Sequence, residues 1–514
     1  MFAKTVSYTL NGIDAERIEV EAYVKNAEMY RFTLVGLPSN SVKESKERVC
    51  SAVQNSNFIW KNVSYTINLA PADLKKDEVG IDLSMAVAIL IATNQLRPIS
   101  RDEYALIGEL SLDGEVRPVR GVLPFAVAAL KDGMKGLIVP KDNAKEAALI
   151  QGLNVYGVEC LNEAVDFLSG KLDIKPTEAN INEIFHTSGF EIEDMFDVKG
   201  QYQVKRALEI AAAGGHNILM IGPPGSGKTM LARRLPGILP EFTLEEALET
   251  TKIFSVAGLL NKFKNGVVMN RPFRAPHHTI SDIALIGGGS VPKPGEVSLS
   301  HNGVLFLDEL PEFKKSALEV LRQPLEDGFV TISRAVSSLC FPAKFMLVAS
   351  MNPCPCGYYG SNIEGHTCNC GIAQIIKYRS KISGPLLDRI DIHIEVPQLH
   401  YSELMKVPTG ERSEVIRHRA NNARERQLDR FKKEKIFCNA QMVTKHIRKY
   451  CIINDESKAL LQTAMSRKGL SARAYDRILK LARTIADIEN SENILFPHIS
   501  EAVQYRSLDR KYWN

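Results

Sequence analysis

Residues 222–229 combine glycines, a lysine and a threonine at a spacing that binds phosphate. They are Gly222, Pro223, Pro224, Gly225, Ser226, Gly227, Lys228 and Thr229. This order is the G-x-x-x-x-G-K-[ST] pattern of a phosphate loop, whose backbone N–H groups surround phosphates at a helix N-terminus. We expect Lys228 to contact the β- and γ-phosphates of ATP and the Thr229 hydroxyl to bind Mg²⁺.

Two further apolar runs end in polar residues that such a site requires. Asp308 and Glu309 directly follow the run 303–307, and Asn352 directly follows the run 345–351. We expect Asp308 to bind Mg²⁺, mostly through water, and Glu309 to orient and polarise the water that attacks ATP. The neutral amide of Asn352 fits a sensor position, where it contacts the γ-phosphate or that water.

One arginine adds a positive charge to this candidate catalytic set. Arg389 follows the segment 383–388, and we interpret it as an arginine finger acting on the ATP of a neighbouring subunit. A guanidinium there stabilises charge on the transferring phosphoryl group, and the role requires an oligomer. The alternative is a surface ion pair of Arg389 with Asp388 or Asp391.

The elements around these residues have the order that the chemistry needs. The apolar run 217–221 predicts a buried strand before the phosphate loop, and helical spacing from Met230 predicts a helix after it. Residues 204–213 predict a preceding helix. With the later strands, this pattern predicts an α/β domain with a parallel sheet.

The whole chain is too long for one core. Its 514 residues predict two or three domains, and its 45% hydrophobic and 24% charged composition is globular. The net charge of +4 neither favours nor excludes a nucleic-acid partner. The N-terminus lacks a signal-peptide pattern, and the longest apolar stretch, 83–92, is too short to span a bilayer. We therefore expect a cytoplasmic protein with no membrane partner.

The chain divides into four predicted parts. Residues 1–170 alternate strand-like and helix-like stretches, which predicts an α+β domain, and 171–193 form a polar linker. Residues 194–400 hold the ATPase motifs, and 401–514 are helical and form a lid. The fold class is α/β.

Four cysteines lie close together directly after Asn352. They are Cys354, Cys356, Cys368 and Cys370. Two C-x-C pairs can supply four thiolates to a tetrahedral Zn²⁺, although the spacing is tighter than the usual C-x₂-C, and His366 can replace one ligand. The pattern leaves two interpretations open, a structural zinc site and reduced or redox-paired thiols.

Two stretches of the N-terminal part resemble the proteolytic domain of Lon proteases. They are residues 75–85 and residues 107–123, the latter continued by 136–143. Lon proteases use a Ser–Lys dyad, and the matching positions here are Gly80 and Leu123. Because neither side chain can act as nucleophile or base, the resemblance implies a Lon-like domain, of the ribosomal S5 domain 2-like fold, without peptidase activity. Its remaining role would be assembly or partner contact.

The motifs together resemble the magnesium-chelatase-like AAA+ ATPases, and the YifB/ComM family most closely. The resemblance rests on residues 222–229, 273–279, 295–309, 352–357 and 383–389. It implies a hexameric DNA helicase that promotes branch migration in DNA uptake or recombination. The alternative is a chelatase-like motor that drives metal insertion or remodels a protein partner. The sequence has no D-x-S-x-S metal-adhesion motif, although a separate subunit could supply one.

Two insertions would face the central pore of such a ring. Residues 280–297 are rich in glycine, and residues 325–338 predict a hairpin similar to the pore hairpin of minichromosome-maintenance helicases. Arg334, near the tip, and Lys293 are therefore candidate contacts to single-stranded or branched DNA. The alternative is that both are ordinary surface cations.

The C-terminal part carries basic helices. Residues 411–435 hold nine Lys/Arg against five acids, which is typical of a solvated helix and also allows a DNA-facing one. Residues 469–487 predict an amphipathic helix capped by Ser471. By the AAA+ resemblance, Arg473 is the second-sensor arginine that reaches the γ-phosphate, with Arg477 one turn on as the alternative.

Overall fold

The structure of the protein is a computed structural model that covers most of the chain. It describes residues 1–27, 29–74, 76, 80–99, 103–179, 193–260, 263, 266–289, 292–333, 338–360, 367–398, 410–434, 436–468, 471–506 and 508. Arg334, His366 and most of the predicted linker lie outside the described residues.

The N-terminal part, over its described residues, is a seven-stranded mixed sheet with five helices. Its strands are β1 (Phe2–Asn11), β2 (Asp14–Lys25), β3 (Arg31–Val35), β4 (Ser64–Ala70), β5 (Tyr104–Leu106), β8 (Gly136–Pro140) and β9 (Asn154–Val158), in the order β3-β4-β2-β1-β5-β8-β9, with β6 (Glu109–Leu110) and β7 (Val116–Arg117) forming a separate pair. The helices are α1 (Asn40–Asn55), α2 (Asp82–Ala92), α3 (Val122–Lys131), α4 (Lys141–Ala147) and α5 (Leu161–Leu168). Every second residue of β4 is buried, as the pleat requires, and the predicted α+β domain is confirmed.

The central part is built on a five-stranded parallel sheet. Its strands are β10 (Ile218–Ile221), β11 (Phe273–Arg274), β14 (Val304–Leu307), β17 (Met346–Met351) and β18 (Ile392–Glu395), in the order β11-β14-β17-β10-β18. The helices are α6 (Tyr202–Gly214), α7 (Lys228–Arg234), α8 (Leu244–Ala257), α9 (Asp282–Ile286), α10 (Glu296–Leu299), α11 (Lys315–Val320), α12 (Arg322–Asp327), α13 (Ile372–Arg379) and α14 (Gly384–Leu387). Every residue of β10, β14 and β17 is buried, because a parallel sheet is covered on both faces.

Two short antiparallel ribbons extend from this sheet. One pairs β12 (Gly287–Gly288) with β13 (Lys293–Pro294), and the other pairs β15 (Phe329–Ser333) with β16 (Ser338–Pro342). A hairpin is therefore present where one was predicted, but its described strands span 329–342 and not 325–338, because residues 325–327 complete a helix. Lys293 is exposed on the first ribbon.

The C-terminal part is helical, as predicted. Its helices are α15 (Ser413–Arg430), α16 (Thr444–Tyr450), α17 (Asp455–Lys468), α18 (Ala472–Ile488) and α19 (Phe496–Gln504). They share one hydrophobic core with α6 and one face of the central sheet.

The basic helix α15 uses several of its cations inside the molecule. Arg419 bonds Glu209 at 2.5 Å and Glu411 at 2.7 Å, and Arg430 bonds Asp487. The helix therefore packs against α6 through one part of its surface, with Ile416, Ala420 and Ala423 buried, and the DNA-facing alternative stays a prediction.

The N-terminal and central parts of the chain are in direct contact through α3 and α8. Gly121 N–H donates to the Ser255 carbonyl, and the Ser255 hydroxyl donates to the buried Glu146 carboxylate at 2.5 Å. Leu123 packs in a small apolar cluster with Leu149 and Val267 from the two sides. Among the residues that the structure describes, no helix is long and apolar enough to cross a membrane.

Candidate nucleotide-binding site

Three strands deliver the predicted nucleotide-site residues to one edge of the central sheet. In the parallel register Ile221 lies beside Met351, and Leu307 lies beside Ala349. The residues that follow these strands therefore converge at the carboxyl edge, where open α/β sheets bind their ligands. The phosphate loop, Asp308 and Asn352 are all at this edge.

The phosphate loop has a backbone that favours glycine at three positions. A Cβ on Gly222 would lie 2.3 Å from the Val396 carbonyl oxygen, and Gly225 and Gly227 have φ angles of +74° and +87°. The Gln201 side chain donates to the Ser226 carbonyl at 2.8 Å, which supports the loop from the side. Gln201 was not predicted, because it precedes the loop by more than twenty residues and belongs to no motif.

The ammonium group of Lys228 lies among oxygen atoms at the centre of the site. It donates to the carbonyls of Gly222 at 2.7 Å and Pro223 at 2.9 Å, and to the Asn352 side-chain oxygen at 3.2 Å. Burial lowers the pKa of Lys228 to about 8. Lys228 is therefore in contact with the side-chain amide of Asn352, and its positive charge is sensitive to mildly alkaline pH.

Asp308 connects the sheet to the phosphate-loop helix. The Thr229 hydroxyl donates to its carboxylate at 2.7 Å, and the Ser350 hydroxyl donates to the other carboxylate oxygen. A hydroxyl and a carboxylate in contact are the hard oxygen donors that Mg²⁺ prefers. The residues present therefore fit the predicted magnesium site, and the Ser350 hydroxyl, which was not predicted, holds the Asp308 carboxylate.

Glu309 leaves the sheet edge in a left-handed backbone conformation. Its φ is +54° and its side chain is 56% exposed. Its N–H donates to the Asp308 carboxylate at 3.1 Å, which fixes the turn. Left-handed non-glycine residues are concentrated at functional sites, and this one presents a carboxylate beside the phosphate loop.

A histidine that the sequence did not assign accompanies Glu309. His278 Nδ1 lies 3.9 Å from a Glu309 carboxylate oxygen. The rings of His277 and His278 lie 4.1 Å apart between centroids. The two adjacent side chains lie together because this segment is irregular and does not alternate as a strand does.

Arg389 and Arg473 lie at the opposite edge of the sheet. Both line a cavity of about 490 Å³, together with the residues at the amino ends of three strands, Asn217, Met346 and Asp391. The carboxyl edge with Lys228 is a strand length away. Arg473 therefore lies near Arg389 and not at the edge that holds Lys228.

Arg389 is held by its own protomer. Its guanidinium donates to the Pro385 carbonyl at 2.7 Å and to the Glu326 carboxylate. The alternative of a surface pair with Asp388 or Asp391 does not describe this contact. Asp391 instead binds Arg477, at 2.5 Å, so Arg477 already has an acidic partner.

The four clustered cysteines have the geometry of one tetrahedral metal site. Their sulfur atoms all lie within 4.8 Å of one another, and all four cysteines are free. The distances from Cys354 to Cys356 and Cys368 are 3.3 and 3.7 Å. Zn–S bonds of about 2.3 Å in a tetrahedron place sulfurs about 3.8 Å apart, so the residues present fit zinc. Gly357, the residue after Cys356, lies against the phosphate loop, since a Cβ on Gly357 would lie 2.5 Å from Pro224.

The positions matching the Lon dyad have apolar surroundings. A Cβ on Gly80 would lie 3.6 Å from Val119 and 3.7 Å from Ile107. Leu123 is fully buried in the contact between the two parts of the chain. Neither position carries a group that could attack a peptide bond.

Comparison with known proteins assigns most of the chain to one family. The family profiles described as "Magnesium chelatase, subunit ChlI", "Subunit ChlI of Mg-chelatase" and "Magnesium chelatase, subunit ChlI C-terminal" match residues 194–404, 20–143 and 410–506. The chain is 45% identical to the Competence protein ComM of Haemophilus influenzae, over 97% of this chain and 96% of that protein. It is 44% identical to the Escherichia coli protein YifB, over the same shares. A weaker similarity, 26% identity over 36% of this chain and 23% of the other, relates it to a Lon protease of Chloroflexus aggregans.

Proposed function

The chain belongs to the YifB/ComM family of magnesium-chelatase-like AAA+ proteins, and we propose that it is an oligomeric ATP-hydrolysing motor that acts on DNA. The observation that carries the ATPase is the contact set at the carboxyl edge of the sheet. There Lys228 meets Asn352, and Thr229 meets Asp308.

Each residue of this set has a defined task in the proposed reaction. The phosphate-loop N–H groups and Lys228 bind the phosphates of ATP, and Asn352 contacts the γ-phosphate or the attacking water. Glu309 orients and polarises that water. Mg²⁺, held by Thr229 and Asp308, would neutralise charge on the phosphates.

The motor is proposed to be a ring, most simply a hexamer. The support is the position of Arg389 and Arg473 at the sheet edge opposite the phosphate loop. From there they serve the ATP of the next subunit, so each nucleotide site is completed by a partner copy. A heterologous contact of this kind repeats from copy to copy and closes into a ring.

DNA is the proposed substrate of the motor. The printed name of the Haemophilus influenzae relative is Competence protein ComM, and the chain presents a β15–β16 hairpin and the exposed Lys293 as candidate contacts. Branch migration or helicase action in DNA uptake or recombination is the proposed role. The competing function is a chelatase-type motor for metal insertion or protein remodelling, which the names of the family profiles favour.

One experiment separates these two functions. The rate of ATP hydrolysis is measured with no DNA, with single-stranded DNA and with forked DNA, at low and moderate salt. We expect stimulation by DNA that weakens with salt, because phosphate contacts release counterions. Absence of both binding and stimulation at low salt would remove the DNA function and leave the ATPase intact.

The cysteine cluster is proposed to hold one structural zinc ion per chain. Four thiolates saturate a tetrahedral zinc, so the site has no open position for substrate. Its contact with Pro224 through Gly357 would let zinc stabilise the loop after Asn352 and the phosphate loop together.

A further inference from the structure

The arginine finger is not free in this protomer. The side chain of Arg389 is only 9% exposed, and its two terminal nitrogens donate to the Pro385 carbonyl and to Glu326. Its Nε has no hydrogen-bond partner among the described residues. In this conformation the guanidinium is bound to an acid of its own chain and cannot also bind a neighbour's phosphate.

The acid that holds Arg389 belongs to the base of the β15–β16 hairpin. Glu326 is in the last turn of α12, and Gly328 follows in a left-handed conformation with a φ of +75° before β15 begins at Phe329. Ala343 N–H donates to the Gly328 carbonyl at 2.8 Å and ties the far strand to the same point. A displacement of the hairpin base is therefore transmitted to the Glu326 carboxylate within two or three residues.

The ion pair between Glu326 and Arg389 joins one exposed side chain to one buried side chain. The Glu326 side chain is 55% exposed, whereas Arg389 is buried. The hydrogen bond from Arg389, then its charge, and then the charge of Arg473 hold the pKa of Glu326 below its usual range. On release the Glu326 carboxylate returns to water with little change in its own solvation, because more than half of its side chain is already exposed.

We propose that Glu326 is a positioning residue that retains Arg389 within its own protomer until the β15–β16 hairpin moves. This proposal rests on the proposed function, in which Arg389 acts on a neighbour's ATP and the hairpin contacts DNA. Contact of nucleic acid with the hairpin then withdraws Glu326, and the freed guanidinium turns to the neighbouring phosphate. Movement of the β15–β16 hairpin and release of the Arg389 side chain are thereby coupled.

Removing the negative charge of Glu326 tests the retention directly. Glu326→Gln keeps the shape of the side chain, and its matched control, Asp327→Asn, removes the same charge from an exposed neighbour in the same helix. We expect Glu326→Gln to raise ATP turnover without DNA by about two- to fivefold, the factor that a weak ion pair supplies. Stimulation by DNA should shrink by the same factor, and Asp327→Asn should change neither quantity by as much. Unchanged or lower basal turnover in Glu326→Gln, with the stimulation ratio of the wild type, would overturn the proposal.

A second measurement does not depend on ATP hydrolysis. Phenylglyoxal labels accessible arginines, and mass spectrometry of the digested protein reports each position. We expect labelling of Arg389 to rise about two- to fivefold in Glu326→Gln, while labelling of Arg477, paired with Asp391, stays constant and shows that the fold is intact. Equal labelling of Arg389 in wild type and variant would refute the retention even if the ATPase is confirmed. An inactive wild type with the predicted labelling would refute the proposed function and keep the retention.

Discussion

Two inactive variants of this protein should restore activity to each other when they are mixed. Lys228→Ala removes the phosphate contact, and Arg389→Ala removes the finger. The six residues of β17 separate the two sheet edges by about 17 to 20 Å, at about 3.3 Å per residue. An arginine side chain is much shorter than that, so the Arg389 of one subunit cannot serve the ATP of the same subunit.

The expected recovery can be estimated from this geometry. Loss of a finger costs about 10³-fold in rate, and loss of the loop lysine abolishes phosphate contact, so each variant alone is nearly silent. In an equal mixture, about a quarter of interfaces combine an intact Lys228 with an intact neighbouring Arg389. We therefore expect about a quarter of the wild-type rate, roughly two orders of magnitude above either variant alone.

The assay is steady-state phosphate release after subunit exchange has been verified with labelled protein. The control is the double variant Lys228→Ala/Arg389→Ala, which supplies neither group and should restore nothing when mixed with either single variant. Full turnover by Arg389→Ala alone, or by a demonstrated monomer, would refute the reasoning. So would silence of a mixture in which exchange is complete.

Three further predictions concern the zinc content of the protein, the pH dependence of its affinity for ATP and its lack of peptidase activity. Elemental analysis of the purified protein should find about one zinc ion per chain. The zinc should be lost in the double variant Cys354→Ser/Cys356→Ser and kept in Cys340→Ser, because Cys340 lies outside the cluster. Wild-type protein that is prepared without chelator and contains no zinc would contradict this site. The affinity for ATP should fall by up to about tenfold from pH 7 to pH 9, since the pKa of Lys228 is lowered to about 8 and only the charged lysine attracts phosphate. The variant Lys228→Arg stays charged over this range, so its affinity for ATP should not change with pH. A wild-type affinity that is constant from pH 7 to pH 9 would show that Lys228 does not titrate in this range. Casein incubated with protein and ATP should stay intact on gels, and ATP-dependent cleavage that persists through further purification would reverse the inference of a lost peptidase.

The phosphate loop and the strands around it were predictable because their physics is local. A buried parallel strand appears in the sequence as a continuous apolar run. The phosphate loop needs glycine where a Cβ would clash with Val396 or where φ is positive. Asp308 and Asn352 follow such runs directly. Their convergence with Lys228 then follows from the parallel order of β14, β17 and β10.

The contacts that depend on long-range packing were not predictable. Glu326 and Arg389 are 63 residues apart in the chain, and the sequence offers Asp388 and Asp391 as nearer partners. His278 reaches Glu309 only because an irregular segment passes the sheet edge. The placement of Arg473 beside Arg389 depends on how the helical lid docks, which no spacing within α18 specifies.

A comparison of wild type with Glu309→Gln shows whether ATP is hydrolysed at this edge of the sheet. The substitution removes only the carboxylate that orients the attacking water, while Lys228, Asp308 and Asn352 keep their contacts. The account predicts ATP binding within about twofold of the wild type and a fall in turnover of about 10² to 10³, with ATP trapped on the protein. Turnover within about twofold of the wild type would contradict the assignment of this sheet edge as the site of ATP hydrolysis.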